Sequence, residues 1–161
     1  MVGREGVVGL STVLNAPPPA YVTEVALSGN ALRVRADLLR QEFARCGALQ
    51  QIILRYAGER IALLSRRAVC NGNHRVEERL CTWLLMMLDR AADQPLALTH
   101  ERISRHLGTR RAGVTSAATM LRDRGIIDYT RGHIRVTDRA ALEAAACECY
   151  PSVRESASIA R

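Results

Sequence analysis

Leu98-Thr-His-Glu-Arg-Ile-Ser-Arg-His-Leu-Gly108-Thr-Arg-Arg-Ala-Gly-Val-Thr-Ser-Ala-Ala-Thr-Met-Leu121 reads as two helices joined by a tight glycine turn. Ile103 and Leu107 lie one turn apart on the first helix, and Val114, Ala117, Ala118 and Leu121 form one apolar stripe on the second. Gly108 falls where the chain reverses, a position that favours positive φ. Thr109 is expected to cap the second helix, and Gly125 to end it just past Arg124. Opposite the stripe stand Ala112, Thr115, Ser116 and Thr119, flanked by Arg111 and Arg122. A small, polar, basic face of this kind suits a helix that enters the major groove of double-stranded DNA.

The segment that follows, Ile126-Ile-Asp-Tyr-Thr-Arg-Gly-His-Ile-Arg-Val-Thr137, has the grammar of a β-hairpin. Two β-rich runs flank Thr130-Arg131-Gly132, and His133 and Arg135 alternate with Ile134 and Val136. A hairpin directly after a recognition helix is the wing of a winged helix, and its turn presents Arg131 towards the phosphate backbone. Charge points the same way. The chain carries a net +7, and residues 99 to 139 contain nine arginines against four acids. Such local excess is the footprint of phosphate binding. All 23 basic residues are Arg, a bias that carries no functional weight.

Other classes find little support. There is no signal-peptide pattern, and the longest apolar run, Trp83 to Leu88, is too short to span a bilayer. Five scattered cysteines (46, 70, 81, 147 and 149) fit free thiols in a reducing cytoplasm. Cys147-Glu-Cys149 and the Cys70/His74 pair each lack the paired spacing of a zinc module, so neither a metal nor another cofactor is expected. No Ser/His/Asp, paired-carboxylate or phosphate-loop constellation marks an enzyme. Upstream, Tyr21 to Leu27 and Ala31 to Val34 are β-like, broken by Pro17-Pro18-Pro19. A short helix follows from Ala36, then a longer one after Gly47 with the apolar stripe Leu49, Ile52, Ile53, Tyr56, Leu63 and Leu64. This stripe is too apolar to leave in water, so two copies are expected to pair along it. Asn71-Gly-Asn73 reads as a hinge, and Val76 to Arg90 as a helix burying Val76, Leu80, Trp83, Leu84 and Met87. Thr137 or Asp138 caps a last helix that runs through Cys149 to a stop at Pro151, with a frayed tail beyond it.

Together these features resemble the C-terminal two-thirds of a Crp/Fnr-family transcription regulator, from about Gly3 to Tyr150. The resemblance is strongest over Arg75 to Val136, where Glu-Arg-Leu-Cys-Thr-Trp-Leu-Leu opens the DNA-binding domain. It implies a mainly α fold with a small β component: a winged helix-turn-helix preceded by a dimerisation helix and a remnant of a β-roll. The implied domains are 1–40 a partial cyclic-nucleotide-binding-like β-roll, 41–71 the dimerisation helix and hinge, 72–141 the winged helix-turn-helix, and 142–161 a C-terminal helix and disordered tail. Gly3-Arg-Glu-Gly-Val-Val-Gly-Leu10 looks like the tail of the cyclic-nucleotide-type β-roll, near its phosphate-binding cassette, with the chain expected to start inside the roll. Nucleotide-binding members place an Arg downstream of the cassette's Gly-Glu, whereas here no Arg follows Arg4 until Arg33. Oxygen-sensing members place cluster cysteines near the N-terminus, and this chain has none before Cys46. Where well-studied members read bases with a Glu and an Arg one turn apart, Ala112 and Ser116 stand instead.

The resulting expectation is a cytoplasmic, sequence-specific transcriptional regulator, not an enzyme, that binds double-stranded DNA as a homodimer and no longer binds a cyclic nucleotide. RNA polymerase is a further partner implied by the resemblance. The alternative is a truncated interaction protein that heterodimerises with full-length relatives. Arg111, Ala112, Thr115 and Ser116 are the expected base-reading set. Arg110, Thr99, His100, Thr119, Arg122 and Arg131 are assigned to phosphates.

Overall fold

The computed structural model describes residues 1–17, 22–91, 96–130 and 132–152. Its elements run in the order α1 (Ala36–Ala44), α2 (Ala48–Asn73), α3 (Val76–Ala91), β1 (Leu96–Ala97), α4 (His100–Leu107), α5 (Arg111–Asp123), β2 (Ile127–Thr130), β3 (His133–Val136) and α6 (Arg139–Ala144), after a 3-10 turn at Leu10–Thr12. No described helix is long and apolar enough to cross a membrane.

The hydrophobic core gathers around α3. Leu80, Cys81, Leu84, Leu85 and Met87 are completely or almost completely removed from solvent, and Trp83 nearly so. A helix apolar on nearly every side must be covered on nearly every side. Ile103 and Leu107 of α4, Val114, Ala117, Ala118 and Leu121 of α5, and Leu142 of α6 supply that cover. The β-strands close the remaining side through Leu96, Ile127 and Ile134. They form an antiparallel sheet in the order β1-β3-β2, with Tyr129 opposite Ile134 and Leu96 opposite the same residue on the other edge. The hairpin therefore lies where its alternation placed it, while the short strand β1 gave no periodic signal. Among the described residues one charged side chain is buried with the core: Arg79 donates from Nη2 to the Leu107 carbonyl. A cation at the C-terminal end of α4 meets carbonyls that lack intrahelical partners.

Local chemistry sets the helix ends. Thr99 Oγ1 accepts from Arg102 N–H at 3.2 Å, which starts α4. Gly108 ends it at φ +60°, in the left-handed region, and the Thr109 N–H donates to the Ser104 carbonyl. Gly125, at φ +71°, ends α5 with its N–H on the Arg122 carbonyl while the Ile126 N–H reaches the Leu121 carbonyl. That pair of bonds is a Schellman motif. Thr109 does not cap α5. The capping residue is Arg110, with no side-chain bond to the helix, because the glycine turn carries Thr109 back towards α4.

Three boundaries differ from expectation. Helix α2 continues through Asn71-Gly72-Asn73, and the break comes at His74, whose backbone is extended. Asn73 Nδ2 donates to the Val69 carbonyl and supports that last turn. Helix α6, capped by Asp138, stops at Ala144 rather than Cys149. Pro151 sits inside a new helical turn that begins at Cys149, a position a proline tolerates because first-turn N–H groups have no intrahelical acceptor. The β-like runs 22–27 and 31–34 pair with no strand among the described residues and carry no regular secondary structure, so side-chain alternation there found no neighbouring strand to bond with. Tyr21, Pro18 and Pro19 fall outside the described residues.

Candidate nucleic-acid interface

Helix α5 turns Val114, Ala117, Ala118 and Leu121 inward and leaves Arg111, Ala112, Thr115, Ser116, Thr119 and Arg122 exposed. The expected reading face is thus one continuous solvent surface. Its start is electrostatically unusual. Arg110 and Arg111 open the helix, and no acidic residue stands in the first turn. Two cations at the positive end of the macrodipole oppose local stability by some tenths of a kcal/mol up to about 1 kcal/mol each. The same pair of charges and free N–H groups would welcome an anion.

Elsewhere in the domain most arginines are already neutralised. Arg102 pairs with Glu24 at 3.1 Å, Arg105 with Glu101, Arg122 with Asp123, and Arg124 with Glu77 at 2.9 Å. Arg139 bridges Asp89 and Glu143. Among the described residues, Arg110, Arg111 and Arg135 of the same region have no ion-pair partner. Arg111 and Arg110 were expected at the site. Arg135 on β3 was not, although its place in the alternating hairpin put it on the outer face. Arg131 lies outside the described residues.

His100 Nδ1 lies 3.0 Å from Thr115 Oγ1, and its ring stacks on Tyr129 of β2 with centroids 4.3 Å apart. The second nitrogen, Nε2, is buried without a hydrogen-bond partner among the described residues. Burial and then the nearby Arg111 push its pKa below the usual 6.5. This ring links α4, α5 and the wing. Tyr129 was the missed member, and its only signal in the sequence was an aromatic in the first run of the hairpin. Thr115 also donates to the Arg111 carbonyl at 3.1 Å, so its hydroxyl is held along the helix and its methyl group is free.

The long helix α2 sorts its apolar residues onto two faces. Ile53 is buried within the chain, and the Tyr56 hydroxyl donates to the Val7 carbonyl. Leu49 and Leu63 are half-buried. Four members of the expected dimer stripe are thus covered, at least in part, by this chain itself, and only Ile52 and Leu64 of the six stand exposed. The exposed seam is a different one: Leu54, Ile61, Leu64 and Ala68, with the half-buried Ala57 between the first two, spaced alternately three and four residues apart and with Ile61 65% exposed. The N-terminal segment causes the shift. Arg60 holds the Met1 carbonyl at 2.8 Å, and Glu5 is gripped through both Nε and Nη2 of Arg90.

Sequence comparison matches residues 78–145 to the Crp-like helix-turn-helix domain family. Residues 78–145 are therefore similar to a Crp-like helix-turn-helix domain. Similar solved structures include FixK2 from Bradyrhizobium japonicum, at 21% identity and a TM-score of 0.62 over 71% of this chain and 60% of that one. A CRP-family transcriptional regulator from Thermus thermophilus aligns at 20% identity and TM-score 0.52, over 58% of this chain and 51% of the other. A putative Crp/Fnr-family transcriptional regulator from Eubacterium rectale aligns at 22% and 0.52, over 68% and 51%. At such identities the likeness is one of fold, and this chain spans between 51% and 60% of the length of those three proteins. No curated protein matches the sequence. In the Crp-like domain, α4 and α5 are the helix-turn-helix and β2–β3 the wing, as the sequence pattern laid them out.

Proposed function

We propose that this chain is a sequence-specific DNA-binding transcriptional regulator in which α5 enters the major groove. One observation carries the reading: Arg110 and Arg111, locally unfavourable and without an ion-pair partner among the described residues, stand on the exposed start of α5 within a stretch that matches the Crp-like helix-turn-helix domain. Arg111, Ala112, Thr115 and Ser116 face bases. Arg110, Thr119, Arg122, Arg131 and Arg135 face phosphates. Thr99 and His100 act indirectly, as cap and strut. The protein pairs as a homodimer along Leu54, Ala57, Ile61, Leu64 and Ala68, a heptad-like seam that a second copy would bury. Residues 1–40 offer no clamp for a cyclic phosphate: Glu5 is occupied by Arg90, and no arginine follows Arg4 before Arg33. RNA polymerase remains a partner for a later step of regulation.

Fluorescence anisotropy with labelled duplexes at several salt concentrations is the test. Affinity should fall steeply as salt rises, because bound arginines release counterions. A flat salt dependence, or equal affinity for every duplex after a selection experiment, would overturn this reading. Calorimetry with cyclic AMP and cyclic GMP at millimolar concentration should give no saturable heat.

A further inference from the structure

A Cys–His pair and a Cys–Cys pair that look unremarkable apart in sequence meet in space. Cys70 and His74, one turn apart at the end of α2, face Cys147 and Cys149 in the segment after α6, and their donor atoms all lie within 4.8 Å of one another. The separations are those of a coordination shell. Cys70 Sγ lies 3.6 Å from Cys147 Sγ and 3.4 Å from His74 Nδ1, and Cys149 Sγ lies 3.7 Å from the same Nδ1. A tetrahedral zinc ion with bonds of about 2.3 Å to sulfur and about 2.0–2.1 Å to nitrogen sets ligand edges of about 3.8 Å (S to S) and about 3.5 Å (S to N). We infer that Cys70, His74, Cys147 and Cys149 form a closed Cys3His site for a single zinc ion, tying the end of α2 to the C-terminal side of the helix-turn-helix domain.

The surroundings fit such an ion. His74 Nε2 lies 3.0 Å from Glu148 Oε1. A nitrogen that donates to a carboxylate carries the ring proton, which leaves the Nδ1 lone pair aimed at the thiols. That is the carboxylate–histidine–metal arrangement that orients a ligand and raises its basicity. Thr82 Oγ1, 3.0 Å from Cys147 Sγ, can donate to the thiolate that a metal requires. On binding, three thiols release their protons to solvent and His74 binds neutral, so the zinc site carries a net charge of −1. Arg66, Arg67 and Arg79 line the small cavity that Cys70 and Cys149 border, and they supply the balancing charge. With four protein donors the site keeps no open position, which makes it structural rather than catalytic. The donors are also too close together to enclose an iron–sulfur cube. Sequence reading set these pairs aside because zinc spacing is sought along the chain, and here 77 residues separate Cys70 from Cys147.

Metal analysis of the full chain, purified under reducing conditions, should find one zinc per chain. Stripped protein should take up one equivalent of cobalt(II) with the visible bands of a tetrahedral thiolate site, and zinc should displace it. His74→Ala and Cys149→Ser, both at incompletely buried positions, should abolish uptake while circular dichroism shows the helices intact. Glu148→Gln should keep the stoichiometry and weaken zinc affinity by about 10–100-fold against a chromophoric chelator. Should Cys149→Ser lose its helices, His74→Ala and Glu148→Gln still decide the matter. The inference is overturned if reduced, stripped protein takes up neither ion, or if His74→Ala and Glu148→Gln both bind zinc like the parent. A Cys70–Cys147 disulfide that, once reduced, leaves a protein unable to bind metal would overturn it as well.

Discussion

Arg111 is the one side chain on the groove-facing set of α5 able to make a bidentate bond to guanine. Its position opening the helix, exposed and without an ion-pair partner among the described residues, leaves the guanidinium free to reach a base edge. Arg111→Ala should therefore cost about 1–3 kcal/mol on the preferred site and relax preference at one base pair. Arg135→Ala, on the wing, should weaken all duplexes alike and flatten the salt slope. Equal losses on preferred and random DNA for both variants would remove Arg111 from base reading. His100 makes a second claim at this scale. Its folded pKa lies below 6.5 because burial, and then Arg111, disfavour the charged ring. His106 is shifted the same way, again chiefly by burial. The unfolded chain then takes up protons first, so these rings contribute full stability above about pH 6.5 and lose it as pH falls towards their folded values. The melting temperature should drop through that window, and His100→Gln should make the drop shallower. A parallel curve for the variant would show that His100 does not titrate on unfolding.

Helix ends carry the helix-turn-helix, and each end has a separable cause. Gly108 has open space around an added Cβ, so sterics with neighbours do not require glycine there. Its φ of +60° does. Gly108→Ala should destabilise the domain by about 1–2 kcal/mol, the cost of a left-handed conformation with a Cβ, and Gly108→Asn by less. Equal denaturation midpoints for parent, Ala and Asn proteins would mean that the turn relaxes to another backbone path. Capping is less predictable from residue type alone. Thr99 caps α4 as its chemistry suggests, yet Thr109, the same residue type one turn-region later, does not cap α5. The difference is one of register: α5 starts at Arg111, so the capping position falls on Arg110 rather than on Thr109.

Whole-molecule behaviour depends on α2. Each Leu or Ile buried on pairing contributes roughly 1.5–3 kcal/mol, and Leu54, Ile61 and Leu64 are the large apolar residues of its heptad-like seam that this chain leaves exposed. Ile61→Asp should give folded monomers. Ile53→Asp should instead destabilise the chain itself, because Ile53 is already internal. Analytical ultracentrifugation together with circular dichroism separates the two outcomes, and a dimeric, folded Ile61→Asp protein would place the interface elsewhere. A two-fold dimer would present two α5 helices about one DNA turn apart, which predicts an inverted-repeat operator with half-sites about 10–11 base pairs centre to centre. The monomeric variant should then bind a full operator no better than a half-site.

The helix-turn-helix and wing were legible because their signals are local. Apolar spacing, two glycines at chain reversals and an alternating hairpin specify α4, α5, β2 and β3 from neighbouring residues alone, and the exposed face of α5 follows from its buried one. Contacts between distant segments were not legible. Periodicity marks the apolar positions of α2 without saying which face the chain covers, and the N-terminal residues, through Glu5–Arg90 and Met1–Arg60, decided that. The stacking of His100 on Tyr129, which links α4 to the wing, rests on the same kind of long-range placement. So does the meeting of Cys70 and His74 with Cys147 and Cys149. Sequence fixes torsional preference and side-chain period within an element; only packing brings groups from separate elements within bonding distance.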